Sequence, residues 1–230
     1  IDCWVVACKE YNEDPVLKTL VPCAMMTARR TTILMFYLNK EGKVERYALT
    51  RPNVGLDGIY TSVWLNPKGS KWGSNSDAPC ETQMECLHRM IKQCNPEKIG
   101  LNISRTFAFA DGLSSTMYAD IMDALDEDQK SRVVNAENVC VGWLETRSEE
   151  EMAAYTGIMQ IAHAMIDEAF SSKVITPGVT TNDDVKYFML QKVIDLGLQP
   201  WFDFEVSVRR KDVNEVEGTT VIMPGDLLHC

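Results

Sequence analysis

The alternation of hydrophobic and polar positions divides residues 1–146 into short extended runs and amphipathic helices. Runs rich in Val, Ile, Phe, Tyr and Trp predict strands, whereas apolar positions three and four apart predict helices. The predicted strands cover residues 1–8, 31–38, 44–50, 98–103 and 132–141, the predicted helices cover residues 81–93 and 114–125, and residues 66–79 are predicted to form a loop. Strands and helices that alternate at this spacing predict a layered α/β domain.

A longer helical pattern begins after Arg147, and we place a domain boundary near residue 146. Ser148 followed by Glu151 is typical of a capping box, and hydrophobic positions then keep helical spacing for about six turns. Residues 176–179, Thr-Pro-Gly-Val, predict a type II turn, because Pro and Gly occupy the two central positions that this turn favours. Thr181 predicts the N-cap of a second helix.

The last thirty or so residues predict two strands joined by a turn. Strict alternation of apolar and polar side chains predicts a half-buried strand over residues 201–209, and the polar stretch 211–218 predicts a turn. The segment "VIMPGDLLHC", residues 221–230, predicts a more fully buried strand that contains a Pro-Gly-Asp turn. Asp226 is expected to be a turn and capping residue rather than a metal ligand.

Composition excludes several classes of partner. The 230-residue chain has a formal net charge of −10, and such a balance argues against a nucleic-acid binder, because backbone phosphates require a clustered basic face. The sequence has no run of about eighteen apolar residues, so it predicts no membrane span. The eight cysteines include no C-x-x-C pair, so reduced structural thiols are expected. A cytoplasmic location is favoured, and we expect both chain ends to be cut within strand-like segments.

Local motifs assign no catalytic residue to this chain. No phosphate-binding loop, dinucleotide fingerprint, nucleophile elbow or H-E-x-x-H zinc motif occurs. The chain has two arginine pairs, Arg29-Arg30 and Arg209-Arg210, which could bind a substrate or an anion. Solvent-exposed positions remain the alternative explanation for both pairs. The candidate substrate-pocket residues are Phe202, Asp203, Glu205, Arg209, Arg210, Arg29 and Arg30.

The order of segments after Arg147 resembles the start of the catalytic domain in the aminopeptidase P, prolidase and creatinase family, whose fold is called pita-bread. These segments are "RSEEEMAAYTGIMQIAHAMIDEAF", "ITPGVTTNDDVKYFML", "GLQPWFDFEVSV" and "VIMPGDLLHC". The first half, with "DCWVVAC" and "RRTTILMFYL", is similar to the creatinase-like N-terminal domain. The resemblance implies an α/β N-terminal domain with a mixed sheet and flanking helices over residues 1–146. It implies the incomplete start of an α+β pita-bread domain over residues 147–230.

The resemblance also implies a function, which is hydrolysis of the N-terminal residue from Xaa-Pro peptides by a homodimeric metallopeptidase. Such enzymes hold two divalent metal ions, often manganese, with two Asp, one His and two Glu. By the family pattern the first ligand follows directly after Cys230, so no metal ligand is expected within this chain. We therefore expect the 230-residue chain alone to be inactive.

One departure from the family pattern keeps other functions open. Peptidases of this family carry a proton-handling histidine before the Pro-Gly-Asp turn, and this sequence has none between Pro200 and Pro224. The alternative is a metal-free pita-bread binding module or an inactive homologue that recognises peptides or proteins. A stand-alone α/β domain with an unrelated ligand is a further alternative.

Overall fold

The structure, a computed structural model, describes residues 1–22, 25, 27–51, 56–70, 77–200 and 202–230. The chain divides into two compact units, Ile1–Thr146 and Arg147–Cys230. Cys23, part of the predicted loop (residues 71–76) and Trp201 lie outside the described residues. Among the described residues, no helix has the length and apolar character needed to cross a bilayer.

The first unit is built on a six-stranded mixed sheet with flanking helices, as predicted. Its strands are β1 (Cys3–Lys9), β2 (Thr31–Leu38), β3 (Val44–Ala48), β4 (Thr61–Ser62), β5 (Ile99–Leu101) and β6 (Val133–Asn135). Their order in the sheet is β4-β3-β2-β1-β5-β6. The β1–β2 and β2–β3 pairs are antiparallel, and the β1–β5, β5–β6 and β3–β4 pairs are parallel.

Helices cover both faces of this sheet. They are α1 (Leu17–Leu20), α2 (Gln83–Cys94), α3 (Ser115–Ala124), α4 (Glu127–Ser131) and α5 (Glu137–Glu145). Alternate residues of β1 point to opposite faces, and nearly all are buried, so the unit has two cores. One core contains side chains from α2 and α3, and the other contains side chains from α1 and α5.

The strand predicted over residues 132–141 is wrong in its second half. The strand ends at Asn135, whose Oδ1 accepts a hydrogen bond of 2.7 Å from the Glu137 backbone N–H at the start of α5. Within α5 only Cys140 is buried. A short apolar run fits a buried strand and a helix equally well, because periodicity cannot separate the two over so few residues.

The second unit contains two helices and a three-stranded sheet. Its elements are α6 (Glu149–Ala169), α7 (Asn182–Asp195), β7 (Ser207–Arg210), β8 (Val213–Val216) and β9 (Leu227–His229), with sheet order β8-β7-β9. The predicted caps are confirmed, because Ser148 and Thr181 each accept from the backbone three residues later. Gly178 has the positive φ of 81° that the predicted type II turn requires.

The strands predicted near the end of the chain are partly wrong. The first begins only at Ser207, the stretch predicted as a turn contains β8, and the last is confined to Leu227–His229. The backbone of Ile222 bonds instead to the loop before α7, donating to Thr180 O at 2.9 Å and accepting from Gly178 N at 2.8 Å. These bonds remove residues around Ile222 from the sheet.

Helix α6 is less buried than its apolar spacing predicts. Ala169 is its buried residue, and five large apolar side chains are exposed, namely Met152, Tyr155, Ile158, Met159 and Ile161. Helical spacing establishes which residues share a face, but it does not determine which surface covers that face.

Candidate functional site

The sheet of the second unit has a buried face and an open face. Val208 lies on the buried face and belongs to a small core, whose other buried members are Val206, Ile222 and the helix residues Ala169, Val185 and Met189. Ser207 is paired directly with His229, and Arg209 is paired with Leu227. Because paired residues of antiparallel strands share a face, these four side chains form one surface, which we call the open face.

A groove of about 560 Å³ lies between the start of α7 and the β7–β8 hairpin. Its lining includes four carboxylates and one ammonium group, and Ser207 of the open face contributes a hydroxyl. We call it the acidic groove; its charged residues are Asp183, Glu205, Glu215, Glu217 and Lys186. Carboxylates in excess over cations create a negative potential that attracts a cationic ligand.

Asn182 fixes the walls of the acidic groove. Its Nδ2 donates to Val206 O at 3.1 Å and to Gly218 O at 3.3 Å, and its Oδ1 accepts from Thr220 N at 2.8 Å. The adjacent Asp183 accepts a short hydrogen bond from the Thr219 hydroxyl. The first turn of α7 is therefore bonded to the backbone on both sides of the groove.

The Pro-Gly-Asp turn before β9 is held by an ion pair. Arg210 Nε and Nη2 donate to the two carboxylate oxygens of Asp226 at 2.8 and 2.7 Å, and Nη2 also donates to Val221 O at 3.1 Å. The Asp226 carboxylate accepts in addition from Met223 N at 2.8 Å, and its side chain is 2% exposed. The Arg210 hydrogen bonds, followed by the Met223 bond, lower the pKa of Asp226 to about 2. Asp226 is thus a turn residue, as predicted.

The candidate site residues occupy different surroundings. Glu205 lines the acidic groove and Arg209 lies on the open face, whereas Arg210 is engaged by Asp226. Phe202 is 74% exposed and Asp203 is also exposed. In the first unit, Arg29 and Arg30 are exposed just before β2.

Several residues of the acidic groove were not predicted as site residues from the sequence. Glu215 and Glu217 lie in the stretch that was predicted to be a turn, although their spacing of two is a strand signal. Asn182 and Asp183 resemble ordinary first-turn helix residues, and no local pattern links them to β7. Only the fold brings the two groups together.

The described residues provide no metal-binding set. Within the described ranges, no three His, Cys, Asp or Glu side chains are grouped so that they could hold a metal ion. Two manganese ions would therefore lack a donor set among these residues.

Comparisons with known proteins give a structural similarity but no match in sequence. No protein-family model matches the chain, and no curated protein matches it. Among solved structures, a Xaa-Pro dipeptidase from Bacillus anthracis is similar at a TM-score of 0.47 and 15% sequence identity. The alignment covers 99% of this chain and 55% of that one, so the chain spans about half the length of that dipeptidase.

Proposed function

We propose that this chain belongs to a Xaa-Pro aminopeptidase-like metallopeptidase and that its second unit binds the amino end of the peptide substrate. The acidic groove carries the proposal, because four carboxylates against one ammonium group favour a cationic ligand. The free N-terminus of a peptide is such a cation. The groove lies within the segment order that resembles the peptidase family, which is why a peptide amine is the proposed ligand.

In this proposal the chemistry and the binding are supplied by different parts of the protein. The described residues offer no donor set for metal ions. The two divalent metals, taken to be manganese, would be held by residues that follow Cys230 in a longer protein, and the working form would be a homodimer. When bound, such a metal pair activates water for attack on a peptide carbonyl. Residues 1–230 would orient the substrate.

The second candidate is a metal-free module that binds peptides without cleaving them. The absence of histidine between Pro200 and Pro224 favours it, because a peptidase needs a proton-handling group near the scissile bond. In this case the acidic groove would bind the peptide amine in the same way, and no hydrolysis would follow.

Steady-state kinetics of the protein expressed from its complete gene, with manganese, tests the proposal. Glu205→Gln should raise KM for a Xaa-Pro dipeptide by up to about fivefold and leave kcat unchanged, since an exposed ion pair contributes about 0.2–1 kcal/mol. Asp212→Asn, an exposed carboxylate outside the groove lining, is the matched control. The variant should bind an N-acetylated peptide as well as the parent protein does, because that peptide lacks the ammonium group.

Two results would contradict the peptidase proposal. The first is that the complete protein does not hydrolyse Xaa-Pro peptides with manganese present; peptide binding in the same samples would then support the second candidate. The second is substantial turnover by residues 1–230 alone, because the proposal leaves this chain without metal ligands.

A further inference from the structure

Most of the large apolar side chains that the first unit exposes lie around one cavity. Among the described residues of this unit seven such side chains are exposed, and four of them line the cavity: Ile1, Leu38, Val44 and Trp143. The cavity has a volume of about 400 Å³, and we call it the apolar cavity. Single exposed apolar side chains are ordinary, whereas a contiguous group of them marks a binding surface.

The apolar cavity lies between α5 and the sheet. Trp4 and its cross-strand partner Phe36 line it from the sheet. The helix contributes residues spaced three and four apart, which therefore share one face: Val139, Gly142, Trp143 and Thr146. Gly142 leaves the middle of this face without a side chain. Apart from its chain neighbours and the backbone of its own helix, no atom lies within 4 Å of a Cβ added there.

Hydrogen bonds and ring contacts hold the aromatic side chains of the cavity in place. The ring centroids of Trp4 and Phe36 lie 5.2 Å apart, and Trp4 Nε1 donates to Asn102 Oδ1 at 2.7 Å. Trp143 Nε1 donates to Thr19 Oγ1 at 2.9 Å. Because both indole N–H groups are bonded within the protein, the rings offer carbon surface to a ligand. Their fixed positions lower the entropy that binding would cost.

The polar groups of the lining are also bonded within the protein. The Asp2 carboxylate accepts from the backbone N–H groups of Glu97 and Lys98 at 2.8 Å each. The Thr146 hydroxyl donates to Gly142 O at 2.7 Å. Among the described lining residues Asp2 carries the only charge, and the whole chain has a net charge of −10. This negative potential disfavours an anionic ligand, and the apolar lining favours an uncharged one.

We propose that the apolar cavity binds a small, uncharged, apolar molecule. A volume of about 400 Å³ lies within the range of about 300–1,000 Å³ that is typical of small-molecule sites. A protein partner fits less well, because a stable interface uses about 20–30 residues a side, whereas eleven described residues line this cavity. The site lies within the first unit and does not depend on the peptidase proposal.

Fluorescence titration of residues 1–230 with two probes of one skeleton tests the site. N-phenyl-1-naphthylamine is uncharged, and 1-anilinonaphthalene-8-sulfonate adds a negative charge to the same rings. The uncharged probe should bind saturably with a Kd of about 100 μM or tighter, and the sulfonate should bind at least about tenfold more weakly. Gly142→Leu should weaken binding of the uncharged probe at least about tenfold, because the leucine side chain occupies the cavity.

Two further variants separate binding from folding. Gly157→Leu is the matched control, because Gly157 lies within α6 and its added Cβ likewise meets no atom beyond its chain neighbours and its own helix. It should bind the uncharged probe as the parent protein does, and neither leucine variant should melt earlier than the parent, because leucine favours a helix more than glycine does. Val44 is 53% exposed, so Val44→Lys should be tolerated and should tighten binding of the sulfonate at least about threefold.

Several results would overturn the proposal. They are the lack of saturable binding of the uncharged probe, tighter binding of the sulfonate by the parent protein, and an unchanged affinity in Gly142→Leu. Equal losses in the two leucine variants, or an unchanged sulfonate affinity in Val44→Lys, would do the same. Sedimentation of the same samples covers the other occupant, because a dimer that the uncharged probe dissociates would assign the cavity to a second copy of the chain instead.

Discussion

Gly112 approaches the buried side chain of Asp14 at a distance that no other residue type permits. A Cβ added at Gly112 would lie 2.6 Å from Pro15 Cδ and closer still to the Asp14 carboxylate. That carboxylate is fixed, because it accepts from Val16 N and from Asn102 Nδ2 at 2.9 Å each, and Asp14 is 1% exposed. Gly112→Ala must therefore displace a buried, hydrogen-bonded charge.

The size of the effect follows from two contributions. Overpacking a well-packed site costs about 1–3 kcal/mol, and weakening a hydrogen bond to a buried charged group costs about 1.5–3 kcal/mol. The lower chain entropy of the unfolded alanine variant offsets about 0.4–1 kcal/mol. We expect Gly112→Ala to lower the free energy of unfolding by about 3 kcal/mol. For a unit of this size the corresponding fall in Tm is roughly 6–12 °C.

Thermal unfolding followed by tryptophan fluorescence suits this test, because Trp4 Nε1 donates to Asn102 Oδ1 at 2.7 Å within the same network. Gly142→Ala is the matched control, since apart from its chain neighbours and the backbone of its own helix no atom lies within 4 Å of its added Cβ. Being inside α5, this control should raise stability by about 0.5–1 kcal/mol.

A double-mutant cycle identifies the cause of the loss. In an Asp14→Ala background Gly112→Ala should cost at least about 1 kcal/mol less, because the displaced carboxylate is gone. An equal cost in both backgrounds, or a Gly112→Ala protein as stable as the parent, would refute the reasoning.

Three further predictions concern titration and thiol chemistry. Arg210 lowers the pKa of Asp226 from 3.8 to about 2. The stability that this carboxylate contributes is therefore present above pH 3.8 and is lost as the pH falls towards 2. Asp226→Asn should abolish this acid dependence in denaturant titrations. Burial raises the pKa of Asp14 above 3.8, so the stability that its protonated carboxyl contributes should be complete below pH 3.8 and lost as the pH rises through the raised pKa. An Asp14 carboxyl resonance that titrates at or below pH 3.8 would contradict this. Exposed Cys80 and Cys230 should react with a thiol reagent in the folded protein. Burial raises the pKa of four other thiols, and mass spectrometry should find these labelled only after unfolding. They are Cys3, Cys8, Cys86 and Cys140.

Local chemistry made several elements of the fold predictable. The capping residues Ser148 and Thr181 bond to backbone groups three residues away, so the starts of α6 and α7 depend on neighbours in sequence. The turn at Gly178 is likewise specified by its own residues. The bounds of β2 were predictable from its continuous run of β-branched, aromatic and other apolar residues, because such a run is typical of a strand buried on both faces.

Pairing and burial were decided elsewhere in the chain. Residues around Ile222 have the composition of a strand, yet their backbone bonds to the loop before α7, which contains Gly178 and Thr180. The apolar face of α6 was predictable as a face, but its exposure depends on surfaces that helical spacing does not specify.

The sequence by itself determined the starts of α6 and α7, the turn between them and the alternation of strands and helices, because these depend on hydrogen bonds and steric preferences within a few residues. Only the tertiary structure placed Asp14 against Asn102, 88 residues away, and Asp183 beside Glu205 in the acidic groove. Such contacts form when distant segments share a core, and the free energy that selects them is spread over the whole packed unit. The candidate sites belong to this second class.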